Sequence, residues 1–84
     1  MNKKIFTINE IQYFVAKTIF KKNIPKDFLK LKLLEIKDVD SFAIIKAIVN
    51  IEQKYKIKFK DSEIFSKNFK NILSISALIK KKFN

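Results

Sequence analysis

The chain is organised around the stretch DVDSFAIIKAIVNIEQKY, residues 38–55. Asp40 and Ser41 stand where a loop gives way to an apolar pattern, and both residue types are favoured at the start of a helix. Apolar side chains then recur at positions i, i+4, i+7 and i+11, at Ile44, Ile48, Ile51 and Tyr55. This spacing predicts an amphipathic helix over residues 41–55, capped by Asp40 or Ser41 and buried along one stripe.

The remaining faces of this helix carry polar and apolar side chains side by side. Its solvated face is predicted to hold Lys46, Asn50, Gln53 and Lys54. Next to that face, Ile45 and Val49 are expected to widen the buried stripe. Near Ser41, a docking patch for a partner is predicted at Phe42, Ile45, Lys46 and Val49; the alternative is that Phe42 and Ile45 are ordinary core and Lys46 is solvated.

An N-terminal helix is predicted over residues 8–22. Thr7 and Glu10 have the spacing of a capping box, in which each side chain accepts a hydrogen bond from the other residue's backbone amide. Apolar side chains follow at helical spacing, at Ile8, Ile11, Val15 and Ile19. Asn23 is the candidate C-cap, and Pro25 stops the helix because it cannot continue one.

Residues 26–39 show no clean periodicity. They predict a long connection with one helical turn, held on the core by Leu31, Leu34 and Ile36. A connection of this length in so small a domain usually has a functional or structural role.

Residues 57–60 alternate between apolar and charged side chains but have no second strand to pair with. They predict a loop with Ile57 and Phe59 turned inward. A short helix follows over residues 62–67, burying Ile64 or Phe65.

The last predicted helix covers residues 72–82, with Asn71 as its candidate cap. Its apolar spacing is set by Ile72, Ile75, Leu78 and Ile79. With nothing repeated and no linker, these patterns predict one all-α domain over residues 1–84. It has three main helices, one short helix and a long loop after the first.

The composition excludes several kinds of site. The 84 residues include no Cys, no His and no Gly. Disulfides, Cys-ligated zinc, a histidine base and glycine-rich phosphate loops are therefore ruled out. We expect neither an enzyme with its own active site nor a metal site. Without a secretory signal or a long apolar run, we expect a cytoplasmic protein with no transmembrane segment.

The formal net charge is +11, and all 19 basic residues are Lys. A basic chain suggests a helical module that binds nucleic acid or an anionic lipid. Compositional drift in AT-rich coding sequence would give the same surplus of Lys, Ile, Asn and Phe. The lack of Arg argues against specific nucleic-acid binding, because Arg is the preferred bidentate reader of guanine and phosphate.

The central stretch also resembles a known family. Asp40-Ser41-Phe42 is similar to the Asp-Ser-Leu or Asp-Ser-Met attachment motif of acyl carrier proteins, the phosphopantetheine-dependent carriers, and residues 43–55 resemble their second helix. Residues 57–61 match an apolar-x-apolar-x-Asp run, residues 66–72 resemble the entry to the fourth helix, and Leu33-Leu34-Glu35 resembles the approach to the motif. The resemblance covers roughly residues 7–82 and implies a small four-helix bundle of acyl-carrier type.

The resemblance implies a function for Ser41. A phosphopantetheinyl transferase, using Mg²⁺, would attach 4′-phosphopantetheine from coenzyme A to Ser41, with Asp40 as the flanking motif residue. The thiol of that arm would carry an acyl or aminoacyl group as a thioester between loading and transferring enzymes. The protein would act as a monomer without nucleic acid.

Three features depart from the family pattern. Lys37 or Asp38 stands where carriers often have Gly, and Phe42 replaces Leu or Met. The second helix of carriers is typically acidic, whereas this one exposes lysines. Neutral or acidic docking surfaces are therefore expected on its partners.

Two simpler interpretations remain open beside the carrier. Ser41 and Asp40 are both residue types that stabilise a helix start without any further role. A carrier-type fold that has lost its cargo would serve as an interaction subunit.

Overall fold

Four α-helices follow one another in this computed structural model, which describes residues 6–20, 23–37, 39–64 and 69–83. They are α1 (Ile8–Ile19), α2 (Ser41–Tyr55), α3 (Asp61–Ile64) and α4 (Ile72–Phe83), with a 3₁₀ turn at Leu33–Glu35. No strand occurs within the described ranges. The predicted all-α class is therefore confirmed, as are the bounds of α2 and the start of α4.

The core lies where α1 contacts both α2 and α4. Its most deeply buried side chains are Ile11, Val15, Leu33, Ile51, Ile72, Ile75, Ser76 and Ile79. Ser76 is the polar exception, and its hydroxyl donates to the Leu73 carbonyl at 3.0 Å. The predicted stripe of α2 is confirmed at Ile48 and Tyr55 as well, while Ile44 is half-buried against this core.

The start of α1 is as predicted and its end is not. Glu10 Oε1 accepts from the Thr7 amide at 2.9 Å, and Thr7 Oγ1 accepts from the Glu10 amide at 3.1 Å. The helix ends at Ile19, so the predicted range 8–22 is too long and Asn23 is not its cap. Phe20 takes an extended backbone (φ −90°, ψ 118°) and packs, half-buried, against the core. Lys21 and Lys22 lie outside the described residues.

The connection from α1 to α2 is fastened to the α4 region by backbone hydrogen bonds. The Leu33 amide donates to the Lys70 carbonyl at 3.0 Å, and the Leu73 amide donates to the Leu29 carbonyl at 3.1 Å. The predicted helical turn is present as the 3₁₀ turn. Of the predicted anchors, Ile36 packs half-buried against the core, but Leu34 is 66% exposed and its place is taken by Leu33, which is 1% exposed. Successive residues of a 3₁₀ turn point about 120° apart, so only one leucine faces the core.

The C-terminal loops follow the prediction in part. Phe59 is buried and Ile57 is half-buried. The short helix α3 begins at Asp61, one residue early, and Ile64 is half-buried in it. Phe65 and the predicted end of this helix lie outside the described residues.

Three side-chain contacts lie at the ends of α3 and α4. Asn71 Oδ1 accepts from the Ser74 amide at 2.8 Å, which confirms Asn71 as the cap of α4. Glu63 Oε1 accepts from the Lys60 amide at 2.8 Å and lies 3.0 Å from Lys82 Nζ. The ion pair ties α3 to the last turn of α4.

Candidate site at the start of helix α2

Asp40 is the N-cap of α2. Its backbone is extended (φ −117°, ψ −178°), and its Oδ1 atom accepts from the Ala43 amide at 2.9 Å. Ser41 is the first helical residue and is exposed. Of the two predicted caps, Asp40 is therefore the one used, and the interpretation of Ser41 as the cap is wrong. The helix start does not need the Ser41 hydroxyl.

An apolar cleft of about 320 Å³ opens beside Ser41. Its walls come from the 3₁₀ turn, α2, α3 and the approach to α4. The lining residues are Leu34, Ser41, Ile44, Ile45, Ile48, Ile64, Phe69 and Lys70. Lys70 is the one charged residue among them, so the serine stands at a recess lined mainly by hydrocarbon.

Sequence reasoning missed four of these cleft residues: Leu34, Ile64, Phe69 and Lys70. They come from three separate parts of the chain, and no spacing in the sequence brings them together. Leu34 is the one cleft residue outside α2 that the sequence could have indicated, because it is a large apolar residue in a segment without periodicity. Its exposed side chain is available to line the cleft because Leu33 already fills the core position.

The predicted docking residues form an exposed stripe along α2. Phe42 is 67% exposed, Ile45 is 53% and Val49 is 46%. They are spaced i, i+3 and i+7, which places them along one side of a helix. Lys46 Nζ lies 5.4 Å from the centroid of the Phe42 ring, over its face. The four side chains Phe42, Ile45, Lys46 and Val49 are called the α2 patch below.

The prediction that Ile45 and Val49 widen the buried stripe is wrong. A helix turns about 100° per residue, so Ile45 points well away from Ile44. The buried stripe widens on the opposite side, where Ala47 is 2% exposed. Ile64 of α3 lines the same cleft as Ile45, yet Ile45 remains 53% exposed.

Three carboxylates of α2 and of the loop before it are engaged in structural contacts. Asp40 caps α2, and Glu52 Oε2 accepts from the Phe59 amide at 2.9 Å. Glu35 lies 3.8 Å from Lys32. Lys46 and Lys70 are both exposed near Ser41. The surface around the serine therefore combines apolar side chains with charges of both signs.

The predicted solvated face of α2 is confirmed. Lys46, Asn50, Gln53 and Lys54 are all exposed. This face carries two ammonium groups and two amides and contributes no carboxylate of its own. The positive charge therefore runs along α2 beyond the α2 patch.

No protein-family model, curated protein or solved structure matches the chain. Within the described ranges, no helix has both the length and the apolar character needed to cross a membrane. The same ranges hold no cluster of three or more His, Cys, Asp or Glu side chains placed to bind a metal ion. The geometry around Ser41 is thus the basis for assigning a function.

Proposed function

We propose that this protein is an acyl carrier protein. Ser41 receives 4′-phosphopantetheine from coenzyme A, and the thiol of the attached arm carries an acyl group as a thioester. The observation that carries the proposal is that Asp40 and Ser41 have separate roles at the start of α2. Asp40 supplies the cap, which leaves an exposed Ser41 hydroxyl on the first turn of a well-packed helix.

Attachment requires a separate enzyme. An unassisted serine hydroxyl is a weak nucleophile, and this chain has no His to take its proton. On a phosphopantetheinyl transferase, the Ser41 oxygen attacks the phosphorus that bears pantetheine. A Ser41 O–P bond forms, the P–O bond to adenosine 3′,5′-bisphosphate breaks, and the serine proton passes to the transferase or solvent. The N-terminal end of α2 favours the resulting phosphodiester anion.

The cleft suits an aliphatic acyl group better than an aminoacyl group. Six of its lining residues are apolar, so burial of a hydrocarbon chain there is favourable. No described carboxylate lines it to accept an ammonium group, and Lys70 would repel one. The cargo is therefore an acyl chain, used in fatty-acid or lipid synthesis or in a dedicated pathway.

The α2 patch is the docking surface for the transferase and for acyl-loading and acyl-transferring enzymes. Exposed apolar side chains at its centre, with Lys46 beside them, fit a partner with an apolar centre and a neutral or acidic rim. Carriers typically present an acidic second helix, so the partners of this protein differ in the charge of their docking surfaces.

Intact-mass measurement tests the proposal. The protein is incubated with coenzyme A, Mg²⁺ and a broad-specificity phosphopantetheinyl transferase. The mass is expected to rise by one phosphopantetheine group in the wild type and in Ser62→Ala, an exposed serine on α3, but not in Ser41→Ala. Absence of any gain in the wild type would contradict the assignment, and salt-sensitive binding of DNA or RNA would then favour the basic-module alternative.

A further inference from the structure

A second groove lies between α1 and α2, away from Ser41. Its volume is about 610 Å³, and it is lined by Phe14, Lys17, Thr18, Asn50, Gln53 and Lys54. Lys54 is in the last turn of α2, roughly 20 Å along the helix axis from Ser41 at 1.5 Å per residue. The groove is therefore separate from the site proposed above.

The lining of this groove is rich in hydrogen-bond donors. Lys17 and Lys54 contribute ammonium groups, and Asn50 and Gln53 contribute amides, all from exposed residues. Among the described residues, no carboxylate lines the groove. Lys17 and Lys54 also line the adjoining cleft, together with Glu10, whose Oε1 atom accepts from the Thr7 amide. Such a lining favours an anionic ligand.

Aromatic rings position both ammonium groups. Lys54 Nζ lies 5.3 Å from the centroid of the Phe14 ring and 5.8 Å from that of Phe6. Lys17 Nζ lies 4.7 Å from the centroid of the Tyr13 ring. Among the described residues, neither lysine forms an ion pair with a carboxylate. Cation–π contacts thus favour these positions and leave the ammonium charges in place.

The aromatic rings are themselves braced by α2. Tyr55 makes edge-to-face contacts with Phe6 and Phe14, at centroid distances of 4.8 and 5.5 Å. These contacts hold the ring under Lys54 in a fixed orientation. The Phe14 floor of the groove is therefore held in place before any ligand binds, which reduces the ordering cost of binding.

We propose that this groove binds a carboxylate-rich segment of a partner protein. Two ammonium groups and two amides complement a row of carboxylates on an extended peptide. Single-stranded nucleic acid fits less well, because its affinity depends on base stacking and the Phe14 and Tyr13 ring faces carry ammonium groups. An anionic membrane surface fits less well because the site is a groove between two helices and its aromatic floor, Phe14, is half-buried.

The test uses a fluorescent peptide of eight glutamates and fluorescence anisotropy at about 0.15 M salt. The Ser41→Ala protein is the parent, so the result does not depend on attachment at Ser41. The groove variant Asn50→Asp/Gln53→Glu replaces two donors with carboxylates. The control variant Ser62→Asp/Ala77→Glu makes the same change in net charge at exposed positions on α3 and α4.

The groove variant is expected to bind the peptide at least about tenfold more weakly than the parent, because its new carboxylates repel the ligand. The control is expected to weaken binding much less. Equal weakening in the two variants would overturn the proposal, since it would reflect net charge alone. Tighter binding of a single-stranded oligonucleotide of equal charge, or of vesicles containing anionic lipid, would overturn it as well.

Discussion

The Oδ1 atom of Asp40 accepts a hydrogen bond from the amide nitrogen of Ala43 at 2.9 Å. This contact spans Ser41 and completes the start of α2 without using the serine hydroxyl. The cap and the candidate attachment point are therefore adjacent residues with separate roles. Modification of Ser41 would leave the capping bond in place.

Because Asp40 and Ser41 have separate roles, their substitution by Ala is expected to lower the free energy of unfolding by different amounts. Asp40→Ala is expected to lower the free energy of unfolding by about 1 kcal/mol, because a helix N-cap is lost. Ser41→Ala is expected to change it by less than about 0.5 kcal/mol, as for an ordinary surface substitution. Denaturant unfolding measures both. Equal losses would show that Ser41 shares the capping role.

Adjacent leucines offer a second comparison. Leu33 is 1% exposed and Leu34 is 66% exposed. Leu33→Ala is expected to lower the free energy of unfolding by about 2–5 kcal/mol, because it leaves a cavity in the core. Leu34→Ala is expected to change the free energy of unfolding by less than about 0.5 kcal/mol. Denaturant unfolding measures both variants. If Leu34→Ala lowered the free energy of unfolding as much as Leu33→Ala, Leu33 would not be the residue that anchors the loop.

Helices could be predicted from the sequence wherever regularly spaced apolar residues follow a capping residue. For α2, the spacing of Ile44, Ile48, Ile51 and Tyr55 fixed both the extent and the buried face. The end of α1 was missed because Pro25 marks only the latest point at which a helix can stop. The earlier stop at Ile19 depends on Phe20 packing against a core that other helices build.

The candidate site was predicted only in part, for the same reason. Asp40, Ser41 and the exposed stripe are local features of one helix and its start. The cleft depends on how Ile64, Phe69 and Lys70 meet α2, which is a property of the tertiary structure. Whether Ile45 faced the core or solvent was likewise decided by which helices cover α2.

The contact between Glu63 and Lys82 predicts a pH dependence of stability. The Lys60 amide, which donates to the Glu63 carboxylate at 2.8 Å, and then the Lys82 ammonium hold the pKa of Glu63 below its ordinary value of 4.5. A carboxyl with a lowered folded-state pKa stabilises the protein above its unfolded-state value. That stabilisation is lost as the pH falls through the folded-state pKa.

Glu63→Gln is therefore expected to be less stable than the wild type at pH 7. The difference is expected to shrink as the pH falls below about 4.5, because the wild-type carboxyl also becomes neutral. Denaturant midpoints measured between pH 7 and pH 2 provide the comparison. A difference that stays constant across this range would show that the ionised carboxylate is not what stabilises α3.

The α2 patch predicts an effect on loading. Phe42→Ala is expected to slow phosphopantetheine transfer to Ser41 about fivefold or more, because truncating a central aromatic contact usually costs over 1 kcal/mol of binding. Leu73→Ala truncates another exposed hydrophobic side chain, on α4, and serves as the control. Initial rates of mass gain give the comparison. Equal rates in the two variants would remove Phe42 from the docking surface.

The most direct measurement locates the modified residue. After incubation with coenzyme A, Mg²⁺ and the transferase, the protein is digested and its peptides are sequenced by mass spectrometry. The carrier assignment predicts one phosphopantetheine group, on Ser41, and none in Ser41→Ala. A wild-type protein that stays unmodified while a known carrier is loaded in the same reaction, or a group attached to another residue, would contradict it.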